Sequence, residues 1–89
     1  MLKVLVFNDD TTTMEFVVSV LEVIFNQSRE EALKTMLSAH RNGSAVCGTY
    51  PAPEAHAKVS SAAGLAQRNG YPLRFAVGQA DTSTDNPDG

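Results

Sequence analysis

Three consecutive polar residues, Asn8, Asp9 and Asp10, are the strongest candidates for chemistry in this sequence. Their amide and carboxylate oxygens accept hydrogen bonds, and several such acceptors at the end of one strand would suit a cation. Asn and Asp are also common turn residues, because their short side chains bond to the nearby backbone. Taken alone, the cluster is more simply interpreted as a turn, and the identity of any bound cation stays open.

The other reactive side chains each have an ordinary structural explanation. His40 falls near the end of a predicted helix, where the helix C-terminus favours such a residue. Met14 and Met36 are typical gap-filling core residues. Cys47 lies in a predicted strand without a nearby His or second Cys, which favours a buried structural thiol over a nucleophile.

Metal binding and acid–base catalysis are disfavoured by the spacing of these residues. Asp9, Asp10 and His40 are of the right ligand types, but they lack a tight motif such as paired histidines on one helical face. An enzyme that used Asp10 and His40 as acid and base would need a nucleophile or an oxyanion motif, and we recognise neither. We therefore predict no metal site, no cofactor and no catalytic residue.

The elements that position these residues follow from the spacing of apolar side chains. The run Leu2–Phe7 is rich in β-branched and aromatic residues and too short for a typical helix, so it predicts a strand. A helix follows, with Thr12 and Glu15 at capping-box spacing at its start and residues 26–27 at its end. Its predicted apolar face consists of Met14, Val17, Val20, Leu21, Ile24 and Phe25.

A second helix is predicted directly after the first. It begins at another capping-box pair, Ser28 and Glu31, and it stops at Gly43, the residue type that best tolerates a left-handed turn. The short connection between the two helices predicts an antiparallel helical hairpin. The predicted apolar face of the second helix consists of Ala32, Leu33, Met36, Leu37 and Ala39.

Two strands and one helix complete the predicted fold. Residues 44–50 are a weaker strand candidate, Pro51 and Pro53 open a third helix, and residues 72–77 alternate as a last strand. The order β-α-α-β-α-β predicts an α+β fold, a small three-stranded antiparallel sheet with three helices packed on it. We assign residues 1–79 to one core domain and residues 80–89 to a polar, acidic tail that we expect to be disordered.

Size and composition narrow the class of protein. The chain has 89 residues, of which 43% are hydrophobic, and this is enough for one small core. A formal net charge of −3 gives no basic footprint for nucleic acid. One cysteine cannot form an internal disulfide, and we recognise no signal peptide or membrane-spanning segment. We therefore predict a cytoplasmic protein without a membrane partner.

Four separate segments of the sequence form recognisable motifs. Residues 3–17 read KVLVFNDDTTTMEFV, and three further motifs are residues 36–40 (MLSAH), 43–48 (GSAVCG) and 71–73 (YPL). Together they resemble the ClpS family, the adaptor proteins of the bacterial N-end rule pathway, and the first motif closely resembles the opening of that family. Because the motifs occur in the family's order and span residues 2–77, the likeness is specific.

The resemblance implies a recognition module that is not an enzyme. ClpS adaptors bind the exposed N-terminal residue of a protein, typically Leu, Phe, Tyr or Trp, and present it to a ClpA-like AAA+ unfoldase paired with the ClpP peptidase. The family residues that hold the α-amino group match Asn8, Asp10 and His40, which leaves Asp9 to the turn. The family's pocket walls match Thr12, Met14, Val17, Met36, Ala39 and Leu73. We expect the protein to be a monomer.

The residue types agree with that ligand. An α-amine has a pKa of about 7.7–8.0, so at neutral pH it is mostly protonated and offers three donors. A carboxylate, an amide and an imidazole supply acceptors, and charge-assisted bonds are the stronger ones. Met, Val and Leu supply the apolar walls that a large side chain needs.

Three departures from the family pattern affect the expected details. Ala39 replaces a branched aliphatic residue before the His, so we expect a reshaped pocket and a changed ranking of Leu, Phe, Tyr and Trp. On the surface that faces the unfoldase, the family's Lys matches Lys58, but a family Glu aligns with Pro53, and Glu54 lies one position away. Relatives usually carry a flexible segment before the first strand. Because this sequence begins at the strand, we expect either a trimmed chain or less efficient delivery of substrates.

A receiver domain of a response regulator is the main alternative. There too, adjacent acidic residues follow a strand, and they hold Mg²⁺ beside a phosphorylated Asp. That fold needs strands and helices that alternate around a parallel sheet. This sequence has two consecutive predicted helices and too few strands for that fold. The Mg²⁺-binding phosphoacceptor domain therefore ranks second, behind the adaptor.

Overall fold

Three strands and three helices follow one another in the predicted order, β-α-α-β-α-β. The computed structural model describes residues 1–79, and the predicted tail, residues 80–89, lies outside the described residues. The elements are β1 (Leu2–Phe7), α1 (Met14–Val23), α2 (Arg29–Asn42), β2 (Ser44–Tyr50), α3 (Ala52–Arg68) and β3 (Arg74–Gln79).

The first strand forms the centre of the sheet. The strand order is β2-β1-β3, and β1 pairs antiparallel with both neighbours, as predicted. A receiver domain requires a parallel sheet, so the receiver interpretation is wrong. Between β1 and β2, Val4 lies opposite Gly48 and Leu5 lies opposite Val46, which leaves Cys47 as the extra residue of a bulge.

One face of the sheet packs against the helices. Val4 and Val6 of β1 are buried, as expected for alternate residues that point into the core. Helix α3 contacts all three strands, and its small buried side chains allow a close approach of helix and sheet; α2 contacts β2 and α1. The helical residues of the core are Val18, Val20, Leu21, Ala32, Met36, Ala39, Ala55, Ala62 and Ala66.

The start of α1 differs from the prediction by one residue. The N-cap is Thr13, whose hydroxyl accepts a hydrogen bond from the Phe16 N–H at 3.1 Å. The predicted capping box of Thr12 and Glu15 is therefore wrong. Asp9 instead accepts hydrogen bonds from the N–H and the hydroxyl of Thr12. These bonds keep Thr12 in the loop, so the helix begins one residue later.

Both ends of α2 confirm the prediction, but its buried face is narrower than expected. The Ser28 hydroxyl accepts from the Glu31 N–H at 3.1 Å, and the Glu31 carboxylate accepts from the Ser28 N–H at 3.0 Å. Gly43 closes the helix with φ of 91°. Leu33 and Leu37 are 41% and 42% exposed, so their assignment to the core face is wrong. The sheet and α1 cover less of this helix than its apolar residues span.

The last strand begins at Arg74, two residues later than predicted, and ends at Gln79. Pro72 has no N–H to donate to the sheet, which explains the later start. Leu73, just ahead of the strand, is buried in the core. Within residues 1–79, no helix is long and apolar enough to cross a membrane.

Candidate functional site

A cavity opens where the end of β1, the start of α1 and the last turns of α2 meet. Its volume is about 320 Å³, including the mouth. The lining contains all six residues that the resemblance assigned to the pocket walls, namely Thr12, Met14, Val17, Met36, Ala39 and Leu73. Asn8 and His40 line the same cavity. The structure therefore brings together all but one of the predicted ligand-binding residues, and the exception is Asp10.

Asn8 and His40 share one mouth because the backbone joins β1 to the end of α2. The Asn8 N–H donates to the Gly43 carbonyl at 2.9 Å, and the Gly43 N–H donates to the Ala39 carbonyl at 2.8 Å. His40 lies on the last turn of α2, next to this junction. Asn8 and His40 are both exposed, so their side chains are accessible at the mouth.

Asp9 holds the loop between β1 and α1. Its carboxylate accepts from the Thr11 N–H at 2.7 Å, from the Thr12 N–H at 3.1 Å, and from the Thr12 hydroxyl. Burial alone would raise the pKa of Asp9, but the hydrogen bonds from Thr12 and Thr11, with the nearby charge of Arg74, outweigh it and leave the pKa below its ordinary value. Asp9 is therefore a loop-forming carboxylate that also lines the cavity.

Asp10 is exposed and does not line the cavity, although its neighbour does. Its role at the α-amino group stays a prediction. Val6, Phe7 and Asp9 also line the cavity, and sequence reasoning did not assign them to it. Their position directly before and after Asn8 at the strand end is the signal that could have identified them.

The wall residues of the cavity are buried in its interior and exposed at its rim. Met36, Ala39 and Leu73 belong to the protein core, and Val17 is half-buried. Met14 is 51% exposed, so it lies at the rim, although it was predicted on the apolar face of α1. An apolar interior below a polar mouth can bury a side chain while the polar group next to it stays at the surface.

A second, shallower groove lies between the end of α1 and α3. Its volume is about 490 Å³, and its lining consists of Val23, Ile24, Glu54, Ala57, Lys58 and Ser61. Both residues that the resemblance placed on the unfoldase-facing surface, Glu54 and Lys58, lie in this groove. The Lys58 ammonium donates a hydrogen bond to the Ile24 carbonyl at 2.8 Å and lies 5.1 Å from the centroid of the Tyr50 ring.

The Tyr50 ring can lie under Lys58 because Gly48 has no side chain. A Cβ atom on Gly48 would lie 2.5 Å from the Tyr50 hydroxyl oxygen. Nearby, the carbonyl of Cys47 accepts a hydrogen bond from Gln27 Nε2 at 2.8 Å. Burial raises the pKa of the Cys47 thiol to about 12, which agrees with the predicted structural thiol and not with a nucleophile. Among the described residues, no group of three or more His, Cys, Asp or Glu side chains is arranged to hold a metal ion.

The fold and the cavity define a small α+β domain with a polar-mouthed apolar pocket. The family model described as ATP-dependent Clp protease adaptor protein ClpS matches residues 1–76. The ATP-dependent Clp protease adapter protein ClpS of Wolinella succinogenes is 51% identical over 72 residues, which are 81% of this chain and 71% of the relative. The protein of the same name from Desulfatibacillum aliphaticivorans is 49% identical over 77 residues, which are 86% and 74% of the two chains.

A solved structure shares the fold as well. Agrobacterium tumefaciens ClpS2 bound to L-phenylalaninamide matches with a TM-score of 0.83 and 38% identity, over 85% of this chain and 92% of that one. This chain therefore belongs to the ClpS family of ATP-dependent Clp protease adaptor proteins. The family and the fold predicted from the sequence are confirmed, and the family is one of adaptors rather than of the protease itself.

Proposed function

We propose that this chain binds the N-terminal residue of other polypeptides and presents them to a ClpA-like AAA+ unfoldase for degradation. The observation that carries the proposal is the shared cavity, with Asn8 and His40 at its mouth and six wall residues behind them. The phenylalaninamide bound to the related ClpS2 contains both parts of such a ligand, an α-amino group and an apolar side chain.

The polar mouth suits a protonated α-amine. Asn8 and His40 offer acceptors, and Asp9 and Asp10 place negative charge in the same turn. Hydrogen bonds between an ammonium group and such acceptors are stronger than neutral ones. An acetylated N-terminus has neither the charge nor the three donors, and it would leave the mouth without partners. We therefore assign recognition of the α-amine to Asn8, Asp10 and His40.

The apolar interior suits one large side chain. The cavity is small, and one continuous set of side chains around a single mouth lines it, so it suits the side chain of a single residue rather than a long ligand. Burying a Leu or Phe side chain contributes roughly 1.5–3 kcal/mol, which selects Leu, Phe, Tyr and Trp against small residues. Ala39 leaves more room than a branched residue would, and this favours the aromatic members of that set.

The groove between α1 and α3 is the proposed surface for the unfoldase. It presents an exposed apolar residue, Val23, beside the acidic Glu54 and the basic Lys58. Because the Lys58 ammonium is bonded to the Ile24 carbonyl, Lys58 holds the end of α1 against α3. We therefore propose that Lys58 fixes the shape of the docking surface and also contacts the partner.

The proposal is tested with fluorescent peptides that begin with Leu or Phe. The peptides should bind, and their N-acetylated counterparts should not, because acetylation removes the charge and the donors of the α-amine. Equal binding of the two forms would overturn N-terminal recognition. Presentation is tested separately, by adding the chain to a ClpA-like unfoldase with ClpP and a folded substrate that begins with Phe. No acceleration of degradation would limit the function to binding.

A further inference from the structure

The two leucines that α2 exposes form an apolar strip with a defined position. Leu33, Leu37 and His40 are spaced i, i+4 and i+7, so they share one face of the helix. Leu33 and Leu37 are 41% and 42% exposed, and His40 lines the cavity. The strip therefore starts at the mouth and runs toward the N-terminus of α2. It ends at Arg29, which pairs with Glu22 at 3.5 Å.

The dimensions of the strip match an extended peptide. With a helical rise of about 1.5 Å per residue, Leu37 lies about 4.5 Å and Leu33 about 10.5 Å from His40 along the helix axis. An extended chain advances about 3.3 Å per residue, and its alternate side chains point to the same side. A polypeptide that starts at the mouth and follows the strip would bring its second residue near Leu37 and its fourth near Leu33, with both side chains on one side.

We propose that Leu33 and Leu37 form a second subsite, which selects apolar side chains at the second and fourth residues of the bound polypeptide. This inference rests on the proposed function, because it needs the first residue in the cavity. Continuity with the mouth identifies the occupant as the same polypeptide. A second copy of the chain is a weaker candidate, since stable interfaces bury about 800 Å² per partner and two partly exposed leucines offer far less.

The test combines three ligands with matched variants. The ligands are L-phenylalaninamide, a peptide that begins with Phe and carries Leu at its second and fourth residues, and the same peptide with Ser at both. The test variant is the double substitution Leu33→Gln and Leu37→Gln, because Gln is well tolerated in exposed helices. The control is Val46→Thr, which changes an exposed apolar residue on β2 outside the cavity lining.

The unmodified chain should bind the Leu peptide about three- to tenfold more tightly than the Ser peptide, as expected for partial burial of apolar side chains. The double variant should lose this difference while its affinity for L-phenylalaninamide stays unchanged. The Val46→Thr control should keep the full difference. Circular dichroism should show the same helical content in all three proteins.

Three other outcomes would overturn the subsite. If the unmodified chain binds L-phenylalaninamide but has equal affinity for the two peptides, the strip is not a subsite. The proposed function would be unaffected by that result. If the double variant binds L-phenylalaninamide more weakly, and by the same factor as the peptides, the leucines only shape the pocket. Failure of the unmodified chain to bind any of the three ligands would remove the proposed function together with the subsite.

Discussion

The pocket and the groove use internal hydrogen bonds in opposite ways. At the pocket the backbone makes the bond, since the Asn8 N–H donates to the Gly43 carbonyl, while Asn8 and His40 stay exposed at the mouth. In the groove a side chain predicted to contact a partner makes the bond itself, since Lys58 donates to the Ile24 carbonyl. The comparison leads us to expect substitutions of Asn8 or His40 at the mouth to change binding without changing stability. Groove substitutions should change stability first.

The largest expected effect is on ligand affinity at the mouth. His40→Ala removes a proposed hydrogen-bond partner of the charged α-amine, and bonds to charged groups contribute about 1.5–3 kcal/mol. We expect the affinity for a Phe-initiated peptide to fall by about 10- to 150-fold, measured by fluorescence anisotropy. The melting temperature should stay the same, because His40 is exposed.

Arg41→Ala is the matched control for this variant. Arg41 is also exposed and lies on the last turn of α2, but it does not line the cavity. Its removal should leave the affinity unchanged. A similar loss from both variants would indicate a general change of the helix end, and the contrast between the two regions would fail.

Substitution of Lys58 in the groove should have a smaller effect, and this effect should be on stability. Lys58→Met keeps the apolar stem but removes the bond to the Ile24 carbonyl and the ammonium over the Tyr50 ring. We expect the free energy of unfolding to fall by about 1–2 kcal/mol, with the partly solvated position placing the effect at the low end for charged hydrogen bonds. Urea titration measures this change, and peptide affinity at the pocket should be retained.

Lys34→Met provides the comparison for a lysine without a buried partner. Its ammonium lies 4.0 Å from the Glu30 carboxylate on the exposed side of α2. Such surface pairs contribute little, so this variant should change the stability by less than about 0.5 kcal/mol. If the two lysine variants unfold at the same urea concentration, Lys58 does not hold the groove together.

The smallest effect concerns Asp9, whose carboxylate forms hydrogen bonds within its own loop although it lines the pocket. Its pKa in the folded chain is below the ordinary value of 3.8, so its bonds stabilise the fold fully above that pH and lose their effect as the pH falls through the lower folded value. The melting temperature of the unmodified chain should therefore fall more steeply below about pH 4 than that of Asp9→Asn. Parallel curves would contradict this assignment of the lowered pKa.

The order and type of the elements could be predicted because local chemistry specifies them. Alternation of apolar residues identifies β1, and the pairing of Ser28 with Glu31 and the glycine at position 43 set the ends of α2. Spacing alone failed at the start of α1, where three successive threonines can each serve as the cap. The Asp9 carboxylate engages Thr12, and the cap falls on Thr13.

The site could be predicted only as far as the resemblance reached. It supplied Asn8, His40 and the six wall residues, and the structure gathers these around one cavity. It did not supply Val6 or Phe7, whose part in the lining depends on the path of β1 past α2. Helical periodicity placed Leu33 and Leu37 on the apolar face, but the width of the covered face depends on what packs against the helix.

The sequence by itself determined the elements, their order and the polar turn that follows β1, because these depend on neighbouring residues along the chain. The tertiary structure decided which side chains meet. Asn8 and His40 share a mouth through the bond from the Asn8 N–H to the Gly43 carbonyl, and Lys58 reaches the end of α1 across the groove. These contacts join residues far apart in the chain, and only the packing of helices on the sheet fixes their distances.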